Sequence, residues 1–230
     1  MTRFALACTA AALMAAGSAS AGTSGTVFLA GADNGFFTPF SSSNAGSVRY
    51  GDSGWFGSGS DAPVGLNRIT LGLAVYGSSG AGSTDINFTL NDGDPSGLAF
   101  GSGATLYSTT ITNVTLADSA AGVQFFDLVI DLPNVQTLGG YNNVGWSISL
   151  SNFSYSGQFG FQCASAFGQY VGYYTNNASY YDGQSWSLFS FGSGAYGVAN
   201  FSAAISTVPA PGALALLGVA GLASRRRRRG

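Results

Sequence analysis

The 230 residues contain no histidine, lysine or glutamate; the ten carboxylates are all aspartates. This excludes Ser–His–Asp and Cys–His nucleophiles and histidine metal centres, and leaves only Asp and Tyr for general acid–base work. Six of the eight arginines lie at the two ends, so residues 22–207 set two arginines against ten aspartates, a formal charge of −8 that repels phosphate backbones and excludes nucleic acid as a partner.

Met1–Ala21 reads as a secretory signal peptide. Arg3 supplies the positive start, Phe4–Ala16 the apolar run, and Ala19-Ser20-Ala21 a small-residue cleavage site with Ala19 and Ala21 at its specificity positions. This predicts a short N-terminal helix, export by the secretion machinery, cutting by signal peptidase and a mature start near Gly22. Cys8 follows Leu6-Ala7, but no apolar run precedes it, so a lipoprotein anchor is not expected.

Residues 22–207 read as one all-β domain of ordinary size. Strong helix formers are scarce, and aromatic and β-branched runs alternate with turn residues. Ile69, Leu71, Leu73 and Val75 share one parity, with Thr70, Gly72, Ala74 and Tyr76 on the other. Ile86, Phe88 and Leu90 repeat the pattern, as do Trp146, Ile148 and Leu150, then Phe159, Phe161 and Cys163. Phe126, Leu128, Ile130 and Leu132 form an inward set with Asp127 and Asp131 outward. Period-two alternation in short runs predicts about ten antiparallel strands with one face buried, hence a β-sandwich of jelly-roll type. Turns are expected at Asn34-Gly35, Asp92-Gly93, Gly139-Gly140 and Asp182-Gly183. Gly51–Ala62 reads as a long loop, with Trp55 and Phe56 anchored in the core. Cys163, with no basic neighbour, reads as a small buried hydrophobe.

Chemistry is sparse. Asp92/Asp94 and Asp127/Asp131 are the close carboxylate pairs; the first falls in a turn and the second on an outer strand face, which does not favour an enzyme. Asn91-Asp92-Gly93-Asp94 gathers oxygen ligands of the kind Ca²⁺ takes, but lacks the spacing and closing glutamate of an EF-hand. Its plainer reading is an Asx/Gly turn, so no metal or cofactor is assigned and Asp92 and Asp94 stand as weak Ca²⁺ candidates. Tyr170, Tyr173, Tyr174, Tyr180, Tyr181 and Trp186 cluster late in the domain. Exposed on a sandwich rim they would stack on sugar rings; otherwise they are core and loop cover. The Asn-x-Ser/Thr sequons at Asn87, Asn113, Asn152, Asn177 and Asn200 are expected by chance in so Ser/Thr-rich a chain.

The last 23 residues, 208–230, have three parts: Val208, Pro209, Ala210, Pro211 and Gly212; the apolar run Ala213–Ala223; and Arg225, Arg226, Arg227, Arg228 and Arg229 before Gly230. As a helix, Gly212–Ala223 spans roughly 18 Å, short of a hydrocarbon core of about 30 Å. It is a marginal membrane segment whose arginines stay cytoplasmic and snorkel to headgroups. Pro209 and Pro211 hold the approach extended and start the helix sharply.

This tail closely resembles the PEP-CTERM sorting signal of bacterial surface and secreted proteins. Val208–Gly212 stands for the motif, Ala213–Ala223 for the span and Arg225–Arg229 for the basic end; Ala210 replaces the eponymous Glu, which leaves the cognate enzyme open. The resemblance implies recognition by an exosortase, a membrane transpeptidase, and removal of the tail. Asn87–Asp94, Leu106-Tyr107-Ser108 and Tyr180–Trp186 are also similar to a loose pattern in the β-sandwich domains of such proteins, which mostly lack a known activity. The expectation is a non-enzymatic exported protein, held briefly at the inner membrane, then displayed at the cell surface or released, with extracellular polysaccharide or matrix as its surroundings. The alternative is a carbohydrate-binding or Ca²⁺-assisted adhesion module; a third is a protein left anchored by an uncleaved tail.

Overall fold

The computed structural model describes residues 25–40, 47–56, 63–98, 100–138, 143–174, 178–188 and 200–207. Residues 1–24, 139–142 and 208–230 are outside them, and with them the expected signal-peptide helix, Ala19, Ala21, the expected Gly139-Gly140 turn, the expected apolar helix and every sorting-signal residue from Val208 to Arg229.

The described residues form twelve strands and no helix. They are β1 (Gly25–Phe40), β2 (Arg49–Trp55), β3 (Gly65–Tyr76), β4 (Gly82–Asp92), β5 (Thr105–Leu116), β6 (Gln124–Gln136), β7 (Asn143–Ser154), β8 (Gln158–Val171), β9 (Tyr173–Tyr174), β10 (Ser179–Tyr181), β11 (Trp186–Leu188) and β12 (Ala203–Thr207). All pairings are antiparallel. The first sheet has the order β12-β1-β8-β3-β6, with β12 also pairing β3. The second has the order β11-β10-β2-β7-β4-β5, with β9 added on β2. The fold is therefore all-β with two antiparallel sheets, consistent with a β-sandwich.

Side-chain alternation explains the buried layer. Ile69, Leu71, Leu73 and Val75 from β3 meet Ile86, Phe88 and Leu90 from β4, Trp146, Ile148 and Leu150 from β7, and Phe159 and Phe161 from β8 in one core. Each such side chain contributes about 1.5–3 kcal/mol on leaving water. Aromatic contacts order its centre: Phe161 stacks on Phe201 at 4.5 Å and 11°, and Phe40 meets Tyr50 edge-on at 4.8 Å. Ile130 and Leu132 are buried, Phe126 and Leu128 pack on the core, and Asp127 and Asp131 face solvent.

Three local expectations need correction. Asn34-Gly35 is not a turn: it lies inside β1, where the ladder to β8 shifts between Ala32 and Phe37. The pair falls in the stretch of β1 between two paired segments, Ala32 opposite Ala164 and Phe37 opposite Gln162, where β1 carries more residues than β8. Gly51–Ala62 is not wholly a loop, because Gly51–Trp55 belongs to β2; Gly51 faces β7 so closely that a Cβ there would sit 2.6 Å from the Trp146 carbonyl oxygen. Finally, the outer face of β3 is not open throughout. Gly72 and Ala74 are buried: residues 200–202 splice in beside β3, with Gly72 N–H donating to Ser202 O at 3.0 Å and Ser202 N–H to Gln162 O at 2.9 Å.

Asp85 sets the register at one end of the second sheet. Beside it the ladders to β5 and to β7 each slip by a residue. The slips place Asn113 and Asn152 in the left-handed region, with φ of 56° and 51°, where asparagine is tolerated better than most residues. Asp85 holds both: its Oδ1 accepts the Asn113 amide hydrogen at 2.7 Å and its Oδ2 accepts from Asn152 Nδ2 at 2.6 Å.

Candidate functional site

The segment between β4 and β5 closes over the outer face of the second sheet. Asp92 N–H donates to Ala104 O at 2.8 Å, Gly103 N–H to Asp92 O at 2.9 Å and Asp94 N–H to Phe100 O at 2.8 Å, drawing the loop into a narrow double strand. Gly93 and Gly101 have φ of 74° and 85°, and a Cβ on either would come within 2.6 Å of the other's Cα. Glycine is required there by both conformation and space. The loop then lies on a floor of glycines. A Cβ on Gly145 would strike Gly93 O at 2.0 Å and Pro95 Cδ at 2.8 Å, and one on Gly51 would meet Pro95 Cγ at 2.7 Å.

The two Ca²⁺ candidates from the sequence engage different partners. Asp92 Oδ2 accepts from the Ser102 hydroxyl at 2.8 Å and from its amide at 3.3 Å. Asp94 is 1% exposed, and its Oδ1 accepts from Ser96 N–H and from the Ser179 hydroxyl, both at 2.9 Å. Ser179 lies on β10 opposite Gly51, so Asp94 reaches across the sheet floor while Asp92 braces the loop's return. Among the described residues no three His, Cys, Asp or Glu side chains gather as a metal cluster. Asp127 is exposed, and Asp131 pairs with Arg68 at 2.8 Å on the outer face of the first sheet.

Beside this loop three aromatic side chains form a surface. Trp55 meets Phe100 at 4.9 Å and lies nearly parallel to Tyr173 at 6.0 Å and 24°. Tyr173 is 58% exposed and Phe100 49%. Of the predicted aromatic cluster, Tyr173 joins this group. Tyr174 points inward, Tyr180 packs on Tyr50 at 5.0 Å, and Tyr181 and Trp186 meet at 5.4 Å across the β10–β11 hairpin. The Tyr170 side chain falls outside the described ones. Trp55, expected in the core, is instead part-exposed on this face, and Phe100 carries no sequence motif. Trp55 has the parity of Gly51 and Ser53, opposite to buried Tyr50, and that parity was the available signal.

The other chemically notable group is buried. Asp52 is 1% exposed between the sheets; its Oδ1 accepts the Ser53 amide hydrogen and its Oδ2 that of Phe201, each at 2.8 Å. Burial pushes its carboxyl well above the usual range against the lowering effect of those two amides, and the charge of Asp94 adds to the rise. Tyr174 donates its hydroxyl to Phe201 O at 2.7 Å, and burial, followed by Asp52 and Cys163, pushes the phenol up. Burial together with neighbouring Tyr180 pushes Tyr50 up to about 12. Cys163 is buried without a disulfide, with its Sγ 3.8 Å from Thr38 Oγ1. Of these groups, Asp52 and Tyr174 engage the Phe201 main chain and so join the sheets.

No family model matches the chain, and no curated protein or solved structure is similar enough to it to carry an argument. Among the described residues no helix is long and apolar enough to cross a membrane.

Proposed function

We propose that this is an exported, non-enzymatic bacterial surface or extracellular-matrix protein: a jelly-roll-like β-domain carried between a signal-peptide helix and a C-terminal apolar helix that directs sorting. The observation behind this reading is the order of the last 23 residues, a Pro/Gly motif, then an apolar run too short for a comfortable span, then Arg225–Arg229. The all-β core runs from Phe40 to Ile205, which is consistent with a body placed ahead of a removable tail. Signal peptidase acts at Ala19-Ser20-Ala21, and an exosortase-type transpeptidase acts near Val208–Gly212. Mass spectrometry of the C-terminus in the native host tests this. Loss of Arg225–Arg229 is expected, and a mature protein that keeps all five arginines sinks the sorting reading in favour of a permanent anchor.

The alternative reading, a carbohydrate-binding adhesion module, is favoured by the surface of Trp55, Phe100 and Tyr173. Exposed aromatic rings such as Phe100 and Tyr173 present flat apolar faces of the kind that stack on the C–H faces of sugars. A glycan array probed with and without Ca²⁺ tests it; binding lost in Trp55→Ala supports it, and silence in both conditions removes it.

A further inference from the structure

Beneath the β4–β5 loop, two oxygens are buried with no hydrogen-bond partner: Asp94 Oδ2 and Asn91 Oδ1. Their residues are 1% and 5% exposed. The other ends of both side chains are fixed. Asp94 Oδ1 holds Ser96 and Ser179, and Asn91 Nδ2 donates to Gly103 O at 3.0 Å. That last bond sets the amide's orientation, because a flipped Asn91 would oppose two oxygens.

The two side chains flank one floor. Asn91 pairs with Gly145 across β4 and β7, so its side chain lies on the same face as the Gly145 position. Gly93 and Pro95 rest on Gly145, and Pro95 also on Gly51; Asp94, between them, bonds Ser179 opposite Gly51. Buried Ser53, opposite Gly145, and Asn143, two residues from Gly145 along β7, share that face and bring further oxygens.

A buried carboxylate oxygen without a donor is costly, and an arginine or lysine normally answers it. Among the described residues the cations are Arg49 and Arg68; Arg68 is held by Asp131, and neither bonds Asp94. A hard divalent cation answers the same need, taking carboxylate, amide and hydroxyl oxygens together. We infer that the loop between β4 and β5 roofs a Ca²⁺ site built on Asp94 and Asn91, with Asp92 outside it as a brace through Ser102. The acidic body, with its formal charge of −8, supports cation uptake. The site does not depend on how the chain is sorted or on what the aromatic surface binds.

Calorimetric titration of the full-length chain with Ca²⁺ tests this. One ion per chain is expected, with Kd of about 10⁻⁴–10⁻³ M, the range of extracellular modules. Ca²⁺ should also raise the melting temperature. Asp94→Asn should weaken binding at least about tenfold, the loss of one ligand charge, whereas Asp92→Asn should keep it. Terbium luminescence sensitised by nearby Trp55 gives a second readout on the unmodified chain, independent of whether Asp94→Asn folds. Absence of heat, melting shift and terbium signal in the wild-type chain overturns the proposal. So does binding that survives Asp94→Asn but is lost in Asp92→Asn, which would return the site to the exposed side of the turn.

Discussion

The Asp52 carboxyl group on the second sheet accepts the amide hydrogen of Phe201 at 2.8 Å, joining residues 149 apart in the chain. The carbonyl of the same Phe201 accepts the Tyr174 hydroxyl at 2.7 Å. Side chains thus satisfy both main-chain groups of a residue whose strand partner, Cys163, offers only an isolated bridge. Asp52→Ala leaves that buried amide without an acceptor and is expected to cost about 1–3 kcal/mol, beyond any packing loss. Urea unfolding of the variant beside the wild type measures it.

The same carboxyl gives stability a pH dependence. Its folded pKa is raised above the unfolded value, so the native state keeps the proton after the unfolded chain has lost it. Its contribution is complete below about pH 4 and declines as pH rises toward the folded pKa. Melting temperatures taken upward from pH 4 should show a falling component that is absent in Asp52→Ala; equal slopes in the two proteins would refute the assignment.

Asp85 and Asp182 act in the opposite sense and in a lower window. The amide of Asn113, then the side chain of Asn152, hold Asp85 below the usual range; the amides of Ser185 and Gln184 do so for Asp182. Their contribution is present above the unfolded pKa and is lost as pH falls through the folded one. Asp85→Asn should therefore lower stability at neutral pH and flatten the acid limb below about pH 4. Acid titration followed by near-ultraviolet circular dichroism reports both effects.

Phe201 also supplies packing. It stacks on Phe161 at 4.5 Å and meets Tyr50 edge-on at 6.2 Å, fully buried. Phe201→Ala should cost about 3–5 kcal/mol through lost transfer energy and the cavity left behind. Phe201→Leu, which retains most of the volume, should recover much of that in the same denaturant assay.

Gly101→Ala tests the loop. With φ at 85° and the Asp92 carbonyl oxygen 2.4 Å from the position of a Cβ, alanine meets both strain and a backbone clash. A loss of about 1–3 kcal/mol is expected from conformation alone. Gly80→Ala, with open space around it, should cost little. Comparing the two melting temperatures separates a local clash from a general intolerance of glycine replacement.

How far the fold was legible depended on the range of the signal. Alternation in β3, β4, β6 and β7 marked the inward faces correctly, since Ile69 through Val75 and Trp146 through Leu150 carry the pattern without help from a partner. The Asp182-Gly183 turn was also legible, because Gly183, at φ of 100°, has no side chain to resist it. Asn34-Gly35 misled, since it lies within β1 at the irregularity between the segments paired through Ala32 and Phe37. At the candidate site the sequence marked Asp94 among the oxygen-rich residues of the turn but could not separate it from Asp92. Only the loop's fold sends one carboxylate to Ser102 and the other beneath Pro95 to Ser179.

By itself the sequence determined the all-β character, the inward parity of the central strands and the acidity of the body. Those properties reside in single residues or in the pleat of one strand, whose side chains alternate whatever lies beside it. Tertiary structure alone decided that β12 enters beside β3, that Asp52 is buried against Phe201, and that Trp55, Phe100 and Tyr173 meet on one face. Each joins residues distant in the chain, and such a choice depends on the summed contacts of both sheets rather than on any local pattern.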